Sequence, residues 1–464
     1  MGKEETQIMK RATRMLILAA VLVVVIIGYV AITRLTAEDS AEGVGGSDVT
    51  VFSVNTATVT ELSWEYDEEE ILLKKVGGTW QYSGDSAFPL SMAKVNTMLT
   101  AISEVKASRS IEDIAALSEY GLDDPTYKIR ISSDNGPLVT CSIGDKNEIT
   151  GDYYLIIDDR QTVYMVDGNL PDAFGNTLMD IVERETVPDV SSAETLIIST
   201  PHSDNKIVYK SSHSGITYTN AYKWFYEFDV DGNKGYAPLG MLKVNKLQNQ
   251  IKGIVWQDCV EYNATDEALK TYGLDEPRVT VTAKLPSGDF TLMLGDFEGE
   301  RCYAKTGNSG IVYTISTETA DSLAAVDFES LRADDVCLME WNTVDSMEIL
   351  VDGKTRTIYF ERSEEGDVSY LVDGYPGESE KVDKFLRSIN AMTTIDQTDK
   401  PSPFSEPEVK IVFHRNTEYF HTMVLSLYLY DSQSYLVEFD GQSRLLVGID
   451  DVGRLKEAFG ALNE

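Results

Sequence analysis

Cysteine and histidine, which often catalyse reactions or bind metals, are few in this 464-residue chain, and none has a recognisable spacing. The cysteines form no CxxC pair, so a zinc or thioredoxin-like site has no support. The histidines form no HExxH motif, and there is no GxSxG turn, Walker loop or dinucleotide glycine motif. We therefore predict no catalytic residues, no cofactor and no metal site. The cysteines and histidines concerned are Cys141, Cys259, Cys302, Cys337, His202, His213, His414 and His421.

One loop resembles the start of a calcium site. The run DVDGN at 229–233 spaces its polar side chains as a calcium loop does. That motif also needs a glycine at its sixth position and a glutamate at its twelfth. Lys234 and Gly240 occupy those positions, so the pattern fails twice and indicates a plain turn.

Carboxylate pairs and tryptophans suggest two further chemistries. Adjacent acids such as Glu364 and Glu365 imitate a glycosidase dyad, but such pairs occur throughout this acidic chain and give a hydrolase little support. Trp80 and Trp224 hold comparable positions and suit carbohydrate stacking, although a packed core aromatic is the simpler interpretation. The sequence therefore favours a non-enzymatic protein, with a cell-wall or glycan-binding module as the alternative function.

The elements that would position any site begin after an apolar run near the N-terminus. Met15–Ile32 comprises eighteen residues without a charge, which matches a short transmembrane helix. Basic residues precede the run and acidic residues follow it, which places the N-terminus in the cytoplasm. A cleaved signal peptide has a shorter apolar region, and Arg34 and Leu35 disrupt the most obvious cleavage site. We predict a cytoplasmic tail at 1–14, a transmembrane helix at 15–33 and an extracytoplasmic body at 34–464.

The net charge of −36 belongs to the exported part of the chain. Residues 1–36 carry a net charge of +3, so residues 37–464 carry −39. Such acidity argues against general nucleic-acid binding and against a body that lies on an anionic membrane surface. Residues 34–50 show no apolar period, and we predict a flexible spacer there.

The remainder of the chain contains three copies of one unit. The segment YGLDDP at 120–125 recurs as YGLDEP at 272–277, and IGD at 143–145 recurs as LGD at 294–296. Upstream, FPLSMAKVN at 88–96 corresponds to APLGMLKVN at 237–245. A third, degenerate copy keeps KVD at 381–383 but lacks YGL. We predict repeat units at 51–185, 186–335 and 336–464.

The repeated YGL-D-x-P segment has a structural interpretation. Its glycine ends a short helix in the left-handed conformation, and its proline prevents the helix from continuing. Its acidic residues suit the turn between them. A structural role is therefore favoured over a binding role for Tyr120, Gly121, Leu122, Asp123, Pro125, Tyr272, Gly273, Leu274, Asp275 and Pro277.

Apolar periodicity predicts the elements of each unit. Val95, Met98, Leu99 and Ile102 share one face of an amphipathic helix, and strict alternation over 127–131 predicts a half-buried strand. Turns such as DGNK and VDG predict hairpins. The best fit is an α+β unit with a mainly antiparallel sheet and packed helices. Helical spacing recurs at Val382, Phe385, Leu386 and Ile389, and at Val452, Leu455, Phe459 and Leu462.

The cysteines also have structural interpretations. Cys141 occupies the repeat position of Leu292, an inward strand position, which predicts a small buried side chain. Cys302 likewise falls at a strand position. Because an exported chain permits disulfides, the sequence is compatible with a bridge such as Cys259–Cys337, although nothing in it requires one.

The N-terminal apolar run, the repeated YGLDxP and the strand-IGD-hairpin pattern after it resemble the bacterial family called domain of unknown function 4340. The resemblance covers about residues 70–330 best. It implies a membrane-anchored, extracytoplasmic protein. Members are often encoded beside ABC-transporter ATPase and permease genes, so the resemblance implies an accessory subunit of an ABC export system. It supplies no catalytic residues.

We therefore hypothesise a non-enzymatic, single-pass envelope protein that acts as an accessory or scaffold subunit of an ABC-type export system. Its expected partners are the membrane, through one helix, and a permease or auxiliary subunit. Nucleic acid is not among them.

Overall fold

The structure is a computed structural model that describes residues 49–158, 160–212, 215–399 and 406–462. The predicted cytoplasmic tail, the predicted transmembrane helix at 15–33 and nearly all of the predicted spacer lie outside these residues. Within the described ranges, no helix is both long and apolar enough to cross a membrane. The first strand begins at Val49, so the last two residues of the predicted spacer belong to a sheet.

Antiparallel sheet dominates the described residues. Three nine-stranded sheets with packed α-helices give an α+β architecture of repeated units, as the sequence predicted. By compactness the chain divides into two units, Met1–Glu183 and Arg184–Glu464. The first unit holds one sheet and the second holds two. The boundaries predicted for three repeat units stay a prediction.

The first sheet is built from nine strands. They are β1 (Val49–Ser53), β2 (Val59–Tyr66), β3 (Glu69–Val76), β4 (Thr79–Tyr82), β5 (Glu104–Ile111), β6 (Tyr127–Ser133), β7 (Gly136–Lys146), β8 (Tyr153–Ile157) and β9 (Val163–Val166). Their order across the sheet is β1-β5-β9-β8-β7-β6-β2-β3-β4. The strand that follows the first YGLDDP segment therefore lies in the interior of the sheet, where β6 pairs with β2 and β7.

The second sheet also has nine strands. They are β10 (Thr195–Thr200), β11 (Ser203–Tyr209), β12 (Trp224–Val230), β13 (Asn233–Pro238), β14 (Cys259–Glu261), β15 (Val279–Lys284), β16 (Phe290–Glu298), β17 (Arg301–Thr306) and β18 (Val312–Ser316). Their order is β13-β12-β11-β10-β15-β16-β17-β18-β14.

The third sheet repeats the topology of the second, strand for strand. Its strands are β19 (Val344–Val351), β20 (Lys354–Arg362), β21 (Val368–Val372), β22 (Tyr375–Pro376), β23 (Thr394–Gln397), β24 (Val409–Arg415), β25 (Thr422–Leu429), β26 (Ser434–Phe439) and β27 (Gln442–Gly448). Their order is β22-β21-β20-β19-β24-β25-β26-β27-β23. The first sheet follows the same plan from β4 to β5, but it adds β1 beyond β5 and has no counterpart of β13.

The α-helices of the described residues pack on these sheets through the faces that the periodicity predicted. Val95, Met98 and Ile102 are fully buried, whereas Leu99 is only half-buried. The faces at 382–389 and 452–459 are buried as predicted. The helices are α1 (Met92–Ser103), α2 (Asn169–Phe174), α3 (Met241–Lys252), α4 (Asp266–Thr271), α5 (Thr317–Ala324), α6 (Phe328–Leu331), α7 (Ser379–Asn390) and α8 (Ile449–Ala461).

Two-residue hairpin turns connect many neighbouring strands. Both central residues of each turn have a positive φ, which matches the right-handed twist of the strands that they join. The predicted turns at DGNK and VDG are confirmed, and the calcium-like run at 229–233 is one of them: Asp229 Oδ1 accepts a hydrogen bond from Gly232 N at 2.8 Å. The turns are Asp67-Glu68, Gly77-Gly78, Asp231-Gly232, Asp352-Gly353, Asp373-Gly374 and Asp440-Gly441.

A charged network fastens α8 to the third sheet. Lys456 Nζ lies 2.7 Å from Asp352 Oδ1 and 2.6 Å from Glu408 Oε2. Tyr435 Oη donates to the same carboxylate oxygen of Glu408 at 2.7 Å. These hydrogen bonds stabilise the charged carboxylate, so they hold the pKa of Glu408 below its usual value.

We expect the replacement Lys456→Met to lower the free energy of unfolding by roughly 1 kcal/mol at pH 7, a modest value because the pair is partly exposed. Because the pKa of Glu408 is lowered on folding, its stabilisation is present above the unfolded-state value of about 4.3 and is lost as the pH falls below that value. Denaturant unfolding at pH 7 and pH 3.5 should therefore show a smaller difference between the variant and the wild type at the lower pH. An equal difference at both values would contradict the network.

Candidate functional site

The repeated YGL segments form the same helix end in both compact units. In the first unit a short 3-10 helix, Leu117–Tyr120, ends at Gly121, whose φ is 62°. In the second unit α4 is followed by Gly273, whose φ is 64°. Leu122 N donates to Leu117 O at 3.0 Å, and Leu274 N donates to Leu269 O at 2.8 Å. This six-to-one hydrogen bond is the mark of a Schellman end, which explains why glycine stands at both positions.

The second recurring element of the repeat, the glycine of IGD and LGD, packs against the backbone of this helix end. A Cβ atom on Gly144 would stand 2.1 Å from the carbonyl oxygen of Tyr120, and one on Gly295 would stand 2.1 Å from that of Tyr272. Asp296 N donates to Tyr272 O at 2.8 Å. We call each pair of opposed segments a glycine lock: 120–121 with 144–145, and 272–273 with 295–296.

Aromatic contacts extend each glycine lock toward the next hairpin. The rings of Tyr120 and Tyr154 lie 5.0 Å apart, and those of Tyr272 and Tyr303 lie 4.7 Å apart. Tyr303 Oη also donates to Glu298 at 2.7 Å, and this hydrogen bond to a carboxylate raises the pKa of Tyr303 to about 12. The paired rings are therefore packed and hydrogen-bonded partners of the lock.

The other motif residues divide into buried and exposed positions. Leu122 and Leu274 are buried, with 6% and 3% of their surface exposed. Pro125 and Pro277 are half-buried. The two aspartates, Asp123 and Asp275, are exposed in the turns that precede β6 and β15. The motif thus lies around one backbone contact in each unit.

A separate feature of the second compact unit has the shape of a binding site. A cleft of about 650 Å³ opens between elements of the second and third sheets. Pockets of this volume, with apolar walls and a few polar groups, are the usual sites for small molecules. Its lining includes Tyr218, Tyr222, Tyr236, Phe328, Glu329, Arg332, Asp335, Gln397, Phe420, Met423 and Phe439.

One wall of this cleft is residues 216–222, which connect β11 to β12 and are fastened to the third sheet. Arg415 Nη2 donates to Tyr218 O at 2.6 Å, and Leu338 N donates to Tyr218 Oη at 2.9 Å. The carboxylate of Glu340 accepts hydrogen bonds from Thr219 Oγ1 at 3.3 Å and from Asn220 N. The ring of Tyr218 packs edge-on against Phe439 at 5.1 Å. The wall is therefore fixed by hydrogen bonds as well as by packing.

The charged groups of the cleft differ in the ion pairs and hydrogen bonds that they form. Arg332 Nε pairs with Glu329 at 3.3 Å, and its Nη1 donates to Thr394 Oγ1 at 3.2 Å. Glu329 also accepts from Gln397 Nε2. Asp335 has no basic partner among the described residues, and burial raises the pKa of its carboxyl group, with a smaller contribution from Asp334.

The sequence-predicted candidates fall outside this cleft. His414 pairs with Glu348 at 3.1 Å on the third sheet, His202 and His421 lie on the surface, and His213 lies outside the described residues. All four cysteines are buried. Burial raises the pKa of the Cys141 thiol to about 12, as expected for a core side chain. No group of three or more metal-binding side chains occurs in the described part of the chain.

Sequence reasoning missed the groups that shape the cleft, although one signal was present. The apolar alternation of β24 continues from Phe413 to Arg415, so it places a charged residue at an inward position. An inward arginine needs several acceptors, and Arg415 finds them in Tyr218 O, Thr343 Oγ1 and Phe420 O. Asp335 and Glu340 carry no comparable signal, because the residues that surround them are distant in sequence.

Comparison with known proteins identifies the family. The sequence model of the family described as "Domain of unknown function (DUF4340)" matches residues 80–196 and 233–407. Curated proteins give no match. Among solved structures, a "Putative DNA polymerase III beta subunit" from Eubacterium rectale ATCC 33656 has 8% identity over 87% of this chain and 94% of that chain, but its TM-score of 0.10 carries no argument. The matched stretches contain both glycine locks and cover more than half of the sequence, and the chain belongs to the DUF4340 family.

Proposed function

We propose that this chain is a non-enzymatic envelope protein that serves as an accessory or scaffold subunit of an ABC-type export system. The observation that carries the proposal is the glycine lock. The Tyr-Gly pair of each YGL segment, Tyr120-Gly121 and Tyr272-Gly273, is engaged in one backbone contact per unit, and that contact supports the interior strands of a sheet. A repeat whose signature residues are structural is suited to presenting surfaces to partners.

The membrane arrangement is part of the same proposal. The apolar run at 15–33 would anchor the chain, with the N-terminus in the cytoplasm and residues 34–464 outside. Its support is the sequence: an uncharged run with basic residues before it and acidic residues after it. The net charge of −39 on residues 37–464 favours a body held away from an anionic membrane surface.

The alternative is a cell-wall or glycan-binding module. Trp80 and Trp224 motivated it, and they are 6% and 5% exposed. Rings buried to this extent cannot offer a face to a sugar, so this alternative would have to use other aromatic side chains. We therefore prefer the scaffold.

Co-purification tests the proposal. The full-length chain, tagged at its C-terminus and expressed at its native level, is solubilised from membranes in dodecyl maltoside and captured. We expect a transporter permease and its ATPase to be enriched over untagged cells. A capture that contains neither protein would overturn the proposal.

A matched control separates the two parts of the chain. Residues 15–33 are replaced with an unrelated transmembrane helix of the same length, while the exterior body is left intact. If the body makes the contact, the same subunits are captured. If they are lost, the contact depends on the helix, and the scaffold role assigned to the repeats is wrong.

A further inference from the structure

The cleft between the second and third sheets has walls that suit a cation. Three of its rings come from separate elements, with Tyr218 on the 216–222 segment, Tyr236 on β13 and Phe439 on β26. The face of an aromatic ring carries negative electrostatic potential and attracts ammonium and guanidinium groups. One of these rings, Tyr236, already has a positive charge close to it, since Lys210 Nζ stands 4.6 Å from its centre.

The charged groups that line the cleft differ in how far they are paired. Arg332 is engaged by Glu329, by Thr394 and by the carbonyl oxygen of Ala333. Asp335 is half-buried, lines the cleft together with Tyr222, and has no basic partner in the part of the chain that the structure describes. A carboxylate in such a site is destabilised by lost hydration, and a cation that enters the cleft would offset that loss.

We propose that this cleft binds a small organic cation, whose amine or quaternary ammonium group faces Asp335 and whose apolar body lies against the aromatic rings. An anion would have to compete with the carboxylate of Glu329 for Arg332 and would lie in the same cleft as Asp335. A neutral apolar molecule would leave the carboxylate of Asp335 buried and unpaired. The volume of about 650 Å³ fits a molecule of one or two rings. The inference is independent of the transporter proposal, and each can fail without the other.

Calorimetric titration of the full-length chain in dodecyl maltoside tests the ligand class. The probes are benzyltrimethylammonium, benzyl alcohol and benzoate, which share a ring and differ in charge. We expect the ammonium probe to bind at least tenfold more tightly than either of the others. Equal binding of the three, tighter binding of benzoate, or no binding of the ammonium probe would each overturn the proposal.

The variant Asp335→Asn tests the assigned carboxylate. We expect at least a tenfold loss of affinity for benzyltrimethylammonium, together with an unfolding temperature equal to or higher than that of the wild type, because a poorly solvated charge has been removed. Glu365→Gln removes one negative charge from an exposed loop and serves as the control, with affinity within twofold of the wild type. An Asp335→Asn variant that is folded and retains its affinity would overturn the assignment.

A second variant keeps the test decisive if Asp335→Asn folds poorly. Phe439→Leu preserves apolar volume but removes the aromatic face that packs beside Tyr218. We expect its affinity for the ammonium probe to fall at least threefold, while any binding of benzyl alcohol stays the same. An unchanged affinity for the ammonium probe would show that the rings take no part, and the proposed cation site would be wrong.

Discussion

Replacement of Gly295 with alanine is expected to destabilise the second compact unit by about 3 kcal/mol, at the upper end of the usual cost of overpacking. The added Cβ would stand 2.1 Å from the carbonyl oxygen of Tyr272, which is backbone and cannot rotate away. The helix end would have to move, and the hydrogen bond from Asp296 N to that oxygen would break. Thermal and denaturant unfolding of the full-length chain measure the loss.

The chain provides a matched control for this change. Gly453 lies inside α8, and a Cβ atom added there meets nothing within 4 Å. Gly453→Ala should therefore be neutral or stabilise the unit by up to about 1 kcal/mol. Gly144→Ala should repeat the loss in the first compact unit, where the carbonyl oxygen of Tyr120 stands equally close. If Gly295→Ala proved no more harmful than Gly453→Ala, the glycine lock would have no energetic role.

The second large effect is expected for Arg415→Met, which should cost about 3 kcal/mol. The methionine keeps the apolar stem of a side chain that is only 7% exposed, but it removes the donors to Tyr218 O, Thr343 Oγ1 and Phe420 O. These acceptors would lose their partners in a place that water reaches poorly. The 216–222 segment should loosen, and hydrogen exchange of its amides should rise along with the fall in stability.

Arg454→Met is the control for the loss of a positive charge. Arg454 also pairs with an acid, Asp451, but its side chain is 62% exposed. Exposed ion pairs contribute little, so the change should cost less than about 0.5 kcal/mol. Similar losses in the two variants would mean that burial at Arg415 does not matter, which would contradict the role assigned to this side chain.

Much of the fold follows from local patterns in the sequence. Asp-Gly pairs adopt positive φ at both positions of a two-residue turn, so they predicted hairpins that the structure contains. Helical spacing predicted the buried faces at 95–102 and 382–389, because a helix on a sheet must cover its apolar side. The strand β1 was missed, because its five residues at 49–53 follow a polar stretch and gain their stability from pairing with β5.

The cleft could not be predicted in the same way. Its lining runs from Ile216 to Leu445, and only the packing of two sheets in one compact unit brings those residues together. The repeats pointed instead to the YGL segments, where the recurring residues prove to support a backbone contact. Arg415 could have been recognised from the sequence, because a charge at an inward strand position requires acceptors from other parts of the fold.

The measurement that bears most directly on the proposed role combines partner capture with stability. The exposed aspartates of both YGL segments are replaced in a double variant, Asp123→Asn and Asp275→Asn, since asparagine suits the same turns. We predict that wild type and double variant capture equal amounts of the transporter permease and ATPase and unfold at the same temperature. Loss of capture at an unchanged unfolding temperature would show that the motif is itself the binding site, and would contradict a structural role for the YGL segments.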